Sequence, residues 1–230
     1  MPPAVLTAEN ITAGYRHPVI TDISLTVHPG QTVGVAGPSG SGKSTLARVL
    51  ALLHKPFSGT VRIDGTPVTR YRHRAPRALR TRIGVLFQQP RLSVDPRMTL
   101  RQAIAEPLRA TRSPDRVDEL ADLVMLTADL LGRRAHEVSD GQLQRACLAR
   151  ALTLRPAFLI CDEMTTMLDA STTAALVGVI RDYQHATGAG VLAISHDTAL
   201  LDRWADHTLL LPGRRRTDSR TDPPHTSTVE

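Results

Sequence analysis

The chain has 230 residues, 41% hydrophobic and 22% charged, which is ordinary globular usage and excludes disorder over most of the length. Its net charge of +6 raises nucleic acid as a partner, yet only 3% of residues are aromatic, and Tyr71 alone could stack beside the basic run of residues 70–82, so a solvated face or an acidic partner fits better. No apolar run approaches the roughly 18–20 residues of a membrane span, and no basic stretch with an apolar core opens the chain; the expectation is a cytoplasmic protein that meets a membrane only through a partner.

Ile23, Leu25 and Val27 alternate with Ser24, Thr26 and His28, the period of a half-buried strand. Pro29-Gly30 marks a turn, and residues 32–36 form a second strand ending in the glycine-rich segment 37–42. From Lys43 onward Leu46, Val49, Leu50 and Leu53 recur at helical spacing. Val61 and Ile63 follow Ser58-Gly59, and Asp64-Gly65 signals a hairpin. Residues 83–87 read as a strand closed before Pro90. Between Thr99 and Leu131 the pattern turns helical. Ser113 is expected to cap one helix, with Pro114 at its first position and Asp115 in its first turn; Val117, Leu120, Val124 and Leu131 would form the apolar face. Alternation then resumes: helix 139–154, strand 158–161, helix 171–185, strand 191–194 and a last strand near 209–211. Such alternation implies an α/β fold with a mainly parallel sheet. Beyond Pro212 the chain is polar and basic, and residues 213–230 are expected to be a disordered tail. Cys147 and Cys161 lie in apolar stretches without metal-pair spacing and read as buried free thiols.

The residues Gly37-Pro38-Ser39-Gly40-Ser41-Gly42-Lys43-Ser44-Thr45 fit the phosphate-loop pattern G-x-x-x-x-G-K-[ST]. Glycines let backbone N–H groups turn inward around a phosphate, and the following helix offers its positive end. Lys43 brings a point charge to the β- and γ-phosphates, and the Ser44 hydroxyl can coordinate Mg²⁺. A chance match in a chain of this size is roughly a one-in-a-hundred event at ordinary glycine usage. The apolar run Phe158-Leu159-Ile160-Cys161 ends in Asp162 and Glu163, which places two acids at the carboxyl edge of a sheet, beside the loop. Asp162 would support the metal through water and Glu163 would polarise an attacking water.

Further segments resemble the ATP-binding cassette (ABC) family over residues 4–212. Ser139-Asp140-Gly141-Gln142 looks like the family's signature, usually L-S-G-G-Q, and is also a capping box, S-x-x-Q, opening an apolar helix. Gln88, after Val85-Leu86-Phe87, resembles the Q-loop glutamine, a further metal contact; Gln89 is adjacent but fits the spacing less well. His196 resembles the switch histidine, Asp169 the end of the D-loop, and Tyr15 the aromatic that stacks on adenine. The resemblance implies a P-loop NTPase core with an N-terminal antiparallel β subdomain and a helical subdomain about residues 91–154. It implies ATP and Mg²⁺ as ligands and hydrolysis through Glu163, with Lys43 and His196 stabilising charge. It also implies a second ATPase subunit whose signature closes over the nucleotide.

Residues 91–99 with Ala105-Glu106-Pro107-Leu108, and residues 141–152, are similar to the ATPases of peptide and nickel importers. Those systems commonly pair two different ATPases with two permeases and an extracytoplasmic substrate-binding protein. The implied location is the cytoplasmic face of the membrane, with permease helices docked near residues 99–131. Three residues depart from the family pattern. Asp140 stands in place of a signature glycine, and Met164 and Met167 stand where proline and a small residue are usual. A carboxylate at a helix tip meant for a γ-phosphate is expected to weaken the composite site. Two alternatives therefore stay open at this point: a soluble nucleic-acid-associated ABC ATPase, and a regulatory subunit with weak hydrolysis.

Overall fold

A computed structural model describes residues 5–166 and 168–213. Met167 and the tail beyond residue 213 lie outside the described residues. The chain opens with strands β1 (Leu6–Gly14), β2 (Pro18–Val27) and β3 (Thr32–Ala36), then helix α1 (Lys43–Leu50). The short strands β4 (Ser58–Ile63) and β5 (Thr66–Pro67) follow, then α2 (Arg77–Arg80) and β6 (Ile83–Leu86). A helical stretch holds α3 (Leu100–Thr111), α4 (Val117–Leu123), α5 (Ala128–Leu131) and α6 (Asp140–Leu152). The remainder is β7 (Phe158–Asp162), α7 (Ala170–Thr187), β8 (Gly190–Ile194), α8 (Thr198–Trp204) and β9 (His207–Leu210).

Two sheets result. The order β2-β1-β4-β5 is antiparallel, and the order β6-β7-β8-β3-β9 is parallel throughout. Strand periodicity explains why the parallel sheet is buried on both faces. Phe158 and Ile160 of β7 join Leu192 and Ile194 of β8 in one apolar cluster, with α1 and the antiparallel sheet. Their alternates Leu159, Cys161, Val191 and Ala193 join the other cluster, with α3, α4, α6 and α7. All five residues of β7 are buried. Phe158 is 1% exposed, and Phe158→Ala is expected to lower the unfolding free energy by about 3–5 kcal/mol, as the shift of a denaturant melt would show.

Both cysteines are free and buried. Burial pushes the Cys147 thiol up to about 11 and the Cys161 thiol higher still.

One local expectation fails and two elements escape the sequence reading, each for a physical reason. No helix starts at Pro114: the Ser113 hydroxyl is shared with Thr111 at 2.7 Å, at the end of α3, and the Asp115 carboxylate accepts from the Val117 N–H at 2.9 Å. The helix starts only at Val117. Val117, Leu120, Val124 and Leu131 are all buried, but Leu131 belongs to the separate α5. Strand β1 escapes a period-two reading because its register shifts and Asn10 adopts a φ of 50°. Helix α8 is seven residues long, and of its side chains only Leu201 and Trp204 are buried, too brief a pattern to read from spacing.

Candidate active site

Strand β3 delivers the chain to Gly37 at the carboxyl edge of the parallel sheet, and α1 carries it away. The intervening loop turns through left-handed backbone at Gly40 (φ 78°) and Gly42 (φ 98°). A Cβ at Gly42 would also lie 2.3 Å from Ile20 Cγ2, so that position requires glycine for space as well as for backbone sign. Pro38, Ser39 and Gly40 are exposed at the crest, whereas Ser41 and Thr45 are buried. The Ser41 hydroxyl has no hydrogen-bond partner among the described residues. Lys43 is 5% exposed, and its ammonium donates to the carbonyls of Gly37 at 2.8 Å and Pro38 at 3.2 Å.

Asp162 ends β7 one strand over from β8, and Ser44 Oγ donates to its Oδ1 at 3.1 Å. Burial raises the Asp162 pKa, and the Ser44 hydroxyl is the main counterweight. Glu163 follows in left-handed backbone (φ 48°), held by its N–H on the Ile194 carbonyl at 2.9 Å. A non-glycine residue there stores about 1–3 kcal/mol of strain. That turn brings Oε1 to 3.3 Å from Lys43 Nζ and Oε2 to 3.6 Å from His196 Nδ1. His196 sits between the end of β8 and Asp197, whose carboxylate caps α8 by accepting from the Leu200 N–H. Lysine, glutamate and histidine are thus joined in one line, beside the serine–aspartate pair.

Gln88 and Gln89 both border a cleft with Ser44 and Asp162; Gln88 is half-buried there and Gln89 exposed. Tyr15 lies outside this cluster, alongside α1. Its hydroxyl accepts from Arg48, its ring tilts against His54 with centroids 5.1 Å apart, and 59% of the residue is exposed. Met164 is buried in the core cluster of α6 and α7.

The signature residues occupy another place. Ser139 caps α6 with a reciprocal box: Ser139 Oγ accepts from Gln142 N–H at 3.2 Å and Gln142 Oε1 from Ser139 N–H at 3.0 Å. Gly141 packs toward Thr172 and Leu168, where a Cβ would meet Thr172 Cγ2 at 3.3 Å. Asp169 caps α7 and accepts from the Ser171 and Thr172 hydroxyls and the Thr172 N–H. The Ser171 bond is the largest of the effects that hold this carboxyl far below the usual range. Among the described residues, no hydrogen bond or ion pair links the signature to the phosphate loop of the same chain. Asp140 does not stand alone: its Oδ1 lies 2.8 Å from Arg91 Nε and is shut off from solvent, although the Asp140 side chain as a whole is 42% exposed. The contact is an ion pair, with no hydrogen bond between the two groups.

Two residues escaped the motif reading. Arg48 borders the cleft and tethers Tyr15; its place four residues after Ser44, on the same helix face, is a signal the sequence does carry. Arg91 carries no such signal, because its partners are 44 or more residues away.

Residues 20–166 match the family model described as ABC transporter. The nickel import ATP-binding protein NikE of Brucella suis biovar 1 (strain 1330) is 37% identical over 207 residues, 87% of this chain and 78% of that protein. A protein of Brucella abortus (strain 2308) named for peptide import and ATP binding is 42% identical over 190 residues, 79% of this chain and 57% of its own. Among solved structures, the dimeric bacterial ABC transporter cassette MJ0796 superposes with a TM-score of 0.80 at 25% identity, covering 90% of this chain and 94% of that one. Its dimeric post-hydrolysis state with ADP and Pi gives 0.81 at 25% identity, covering 91% and 97%.

Proposed function

The chain belongs to the ABC transporter family, and from that membership we propose that it is the ATP-hydrolysing subunit of an importer for nickel, a metal chelate or a short peptide. The named relatives supply the cargo classes. The observation that carries the catalytic part is the line Lys43–Glu163–His196 beside the pair Ser44–Asp162. Glu163 orients the attacking water and polarises it. Lys43 exchanges the Gly37 and Pro38 carbonyls for β- and γ-phosphate oxygens, and His196 steadies the charge that develops on the γ-phosphoryl group. Tyr15, tethered by Arg48, offers its exposed ring to the adenine.

The donors Ser44 Oγ and Asp162 Oδ1 fit Mg²⁺, a cation that prefers a few hard oxygens and shares its shell with phosphate and water. Ser44 and Asp162 would hold it, with Gln88 at the edge of the cleft. When bound, Mg²⁺ supplies positive charge against the phosphate oxygens.

The capped tip of α6 has no polar contact with its own phosphate loop among the described residues, which supports its meeting ATP held by a second, related ATPase. The dimeric cassettes found by superposition support the same arrangement. Pairing Asp140 with Arg91 favours hydrolysis over a purely regulatory role. No helix among the described residues is long and apolar enough to cross a membrane. The subunit would sit peripherally on the cytoplasmic face, held by permeases that an extracytoplasmic binding protein supplies. A groove lined by Val85, Phe87, Pro107 and Leu154 and by the charged Arg80 and Arg150, with Leu92 82% exposed next to its rim residue Ser93, suits an amphipathic permease segment.

The test is uptake by whole cells of radiolabelled nickel, a nickel chelate and a short peptide. Deleting the gene should abolish uptake of one of these, and the intact gene should restore it where Glu163→Gln does not. Unchanged uptake of all three would overturn the importer reading.

A further inference from the structure

Arg91 lies in the short turn Pro90–Leu92, three residues beyond the proposed Q-loop glutamine Gln88. Its guanidinium reaches across to the turn before the signature helix. One terminal nitrogen donates to the Ala135 carbonyl at 2.7 Å and the other to the Val138 carbonyl at 3.1 Å. The remaining nitrogen, Nε, stands 2.8 Å from Asp140 Oδ1. That oxygen has neither solvent nor a hydrogen-bond partner among the described residues and faces the arginine charge, although the two side chains as a whole are 46% (Arg91) and 42% (Asp140) exposed and the pair is partly screened by water. Asp140 is the first residue of α6, directly after the Ser139 cap.

We propose that Arg91 is a positioning residue for ATP hydrolysis: it neutralises Asp140 and fixes the signature tip, so that the tip accepts the triphosphate of the partner ATPase. The inference rests on the reading of α6 as a contact in trans. The positive end of α6 attracts an anion, and an unpaired Asp140 carboxylate would occupy that attraction and repel the incoming phosphate. Arg91 prevents this from within the same chain. Because Arg91 also belongs to the segment that follows Gln88, any shift of that segment on nucleotide binding would move the charge balance of the signature.

The experiment uses the full chain, purified through a tag together with the subunits that accompany it. Arg91→Gln removes the charge and, being shorter, also gives up the two carbonyl bonds; Arg91→Lys keeps the charge, and the comparison between Asp140 backgrounds separates the charge effect from the lost carbonyl bonds. In the Asp140 background, Arg91→Gln should raise the ATP concentration for half-maximal turnover about five-fold, and the same change in an Asp140→Gly background should raise it less than about two-fold. Arg91→Lys should stay within about two-fold of the parent. Binding of a fluorescent ATP analogue to the isolated subunit should not move, because that site is the cradle in cis. Equal losses for Arg91→Gln in the two backgrounds would mean a purely structural role and overturn the proposal, as would a lysine variant no better than the glutamine one. If Arg91→Gln fails to fold, Arg91→Lys against Asp140→Asn decides: raised half-maximal ATP in the lysine variant alone would equally overturn it. A parent complex without ATP turnover would instead sink the functional reading.

Discussion

Glu163→Gln should bind ATP at least as tightly as the parent and hydrolyse it about 10²- to 10⁴-fold more slowly, the range expected when a general base is lost. The substitution keeps the shape of the side chain and its capacity to accept hydrogen bonds. It removes the negative charge that stands 3.3 Å from Lys43 and would face the γ-phosphate of bound ATP. Binding is therefore relieved of a repulsion while water activation disappears. The backbone is not at issue, since the left-handed turn is held by the Glu163 N–H on Ile194, and glutamine donates the same bond. The check is a single-turnover hydrolysis assay alongside equilibrium binding of labelled ATP. Turnover within about ten-fold of the parent would remove Glu163 from its assigned role.

Lys43→Ala is the second large effect, with the opposite signature: binding fails first. The ammonium is almost fully buried and already directed into the loop by two carbonyls, so little ordering remains to be done when phosphate replaces them. Truncating one member of such a buried, hydrogen-bonded charge pair weakens binding by roughly a hundred-fold or more. Saturating ATP should therefore stop raising the thermal midpoint of the variant, where a ligand at about 100 times its Kd contributes about 2.7 kcal/mol to the parent. Removal also leaves the Glu163 carboxylate without its cationic neighbour. Lys43→Gln, which retains a donor and all but one bond of the length, separates that packing effect from the loss of charge. Undiminished ATP stabilisation in both variants would count against the cradle.

Much of the site was legible before any coordinates. The phosphate loop, the acidic end of β7 and the signature box are local patterns, each built from residues fewer than ten positions apart. Glycine sign and space at Gly42 explain why the loop reads so clearly. The helical stretch was harder, because Ser113 and Asp115 spend their side chains on neighbouring groups and shift the helix start to Val117. Strand β1 was hidden by its bulge at Asn10.

The sequence by itself determined the chemistry of this protein: an amine, a hydroxyl, two carboxylates and an imidazole, in segments whose strand and helix periods announce a parallel sheet. It also determined that the core would be two-sided, through the alternation of β7 and β8. Only the tertiary structure decided how those groups meet. Sequence separation says nothing about distance once the fold brings together residues 118 positions apart, as it does Ser44 on α1 and Asp162 at the end of β7. The same holds for Asp140: read alone it is a carboxylate that competes with an incoming phosphate at a helix tip, and the fold supplies Arg91 from 49 positions upstream. Charge interactions depend on separation in space and on exclusion of water, and neither is written in the order of residues.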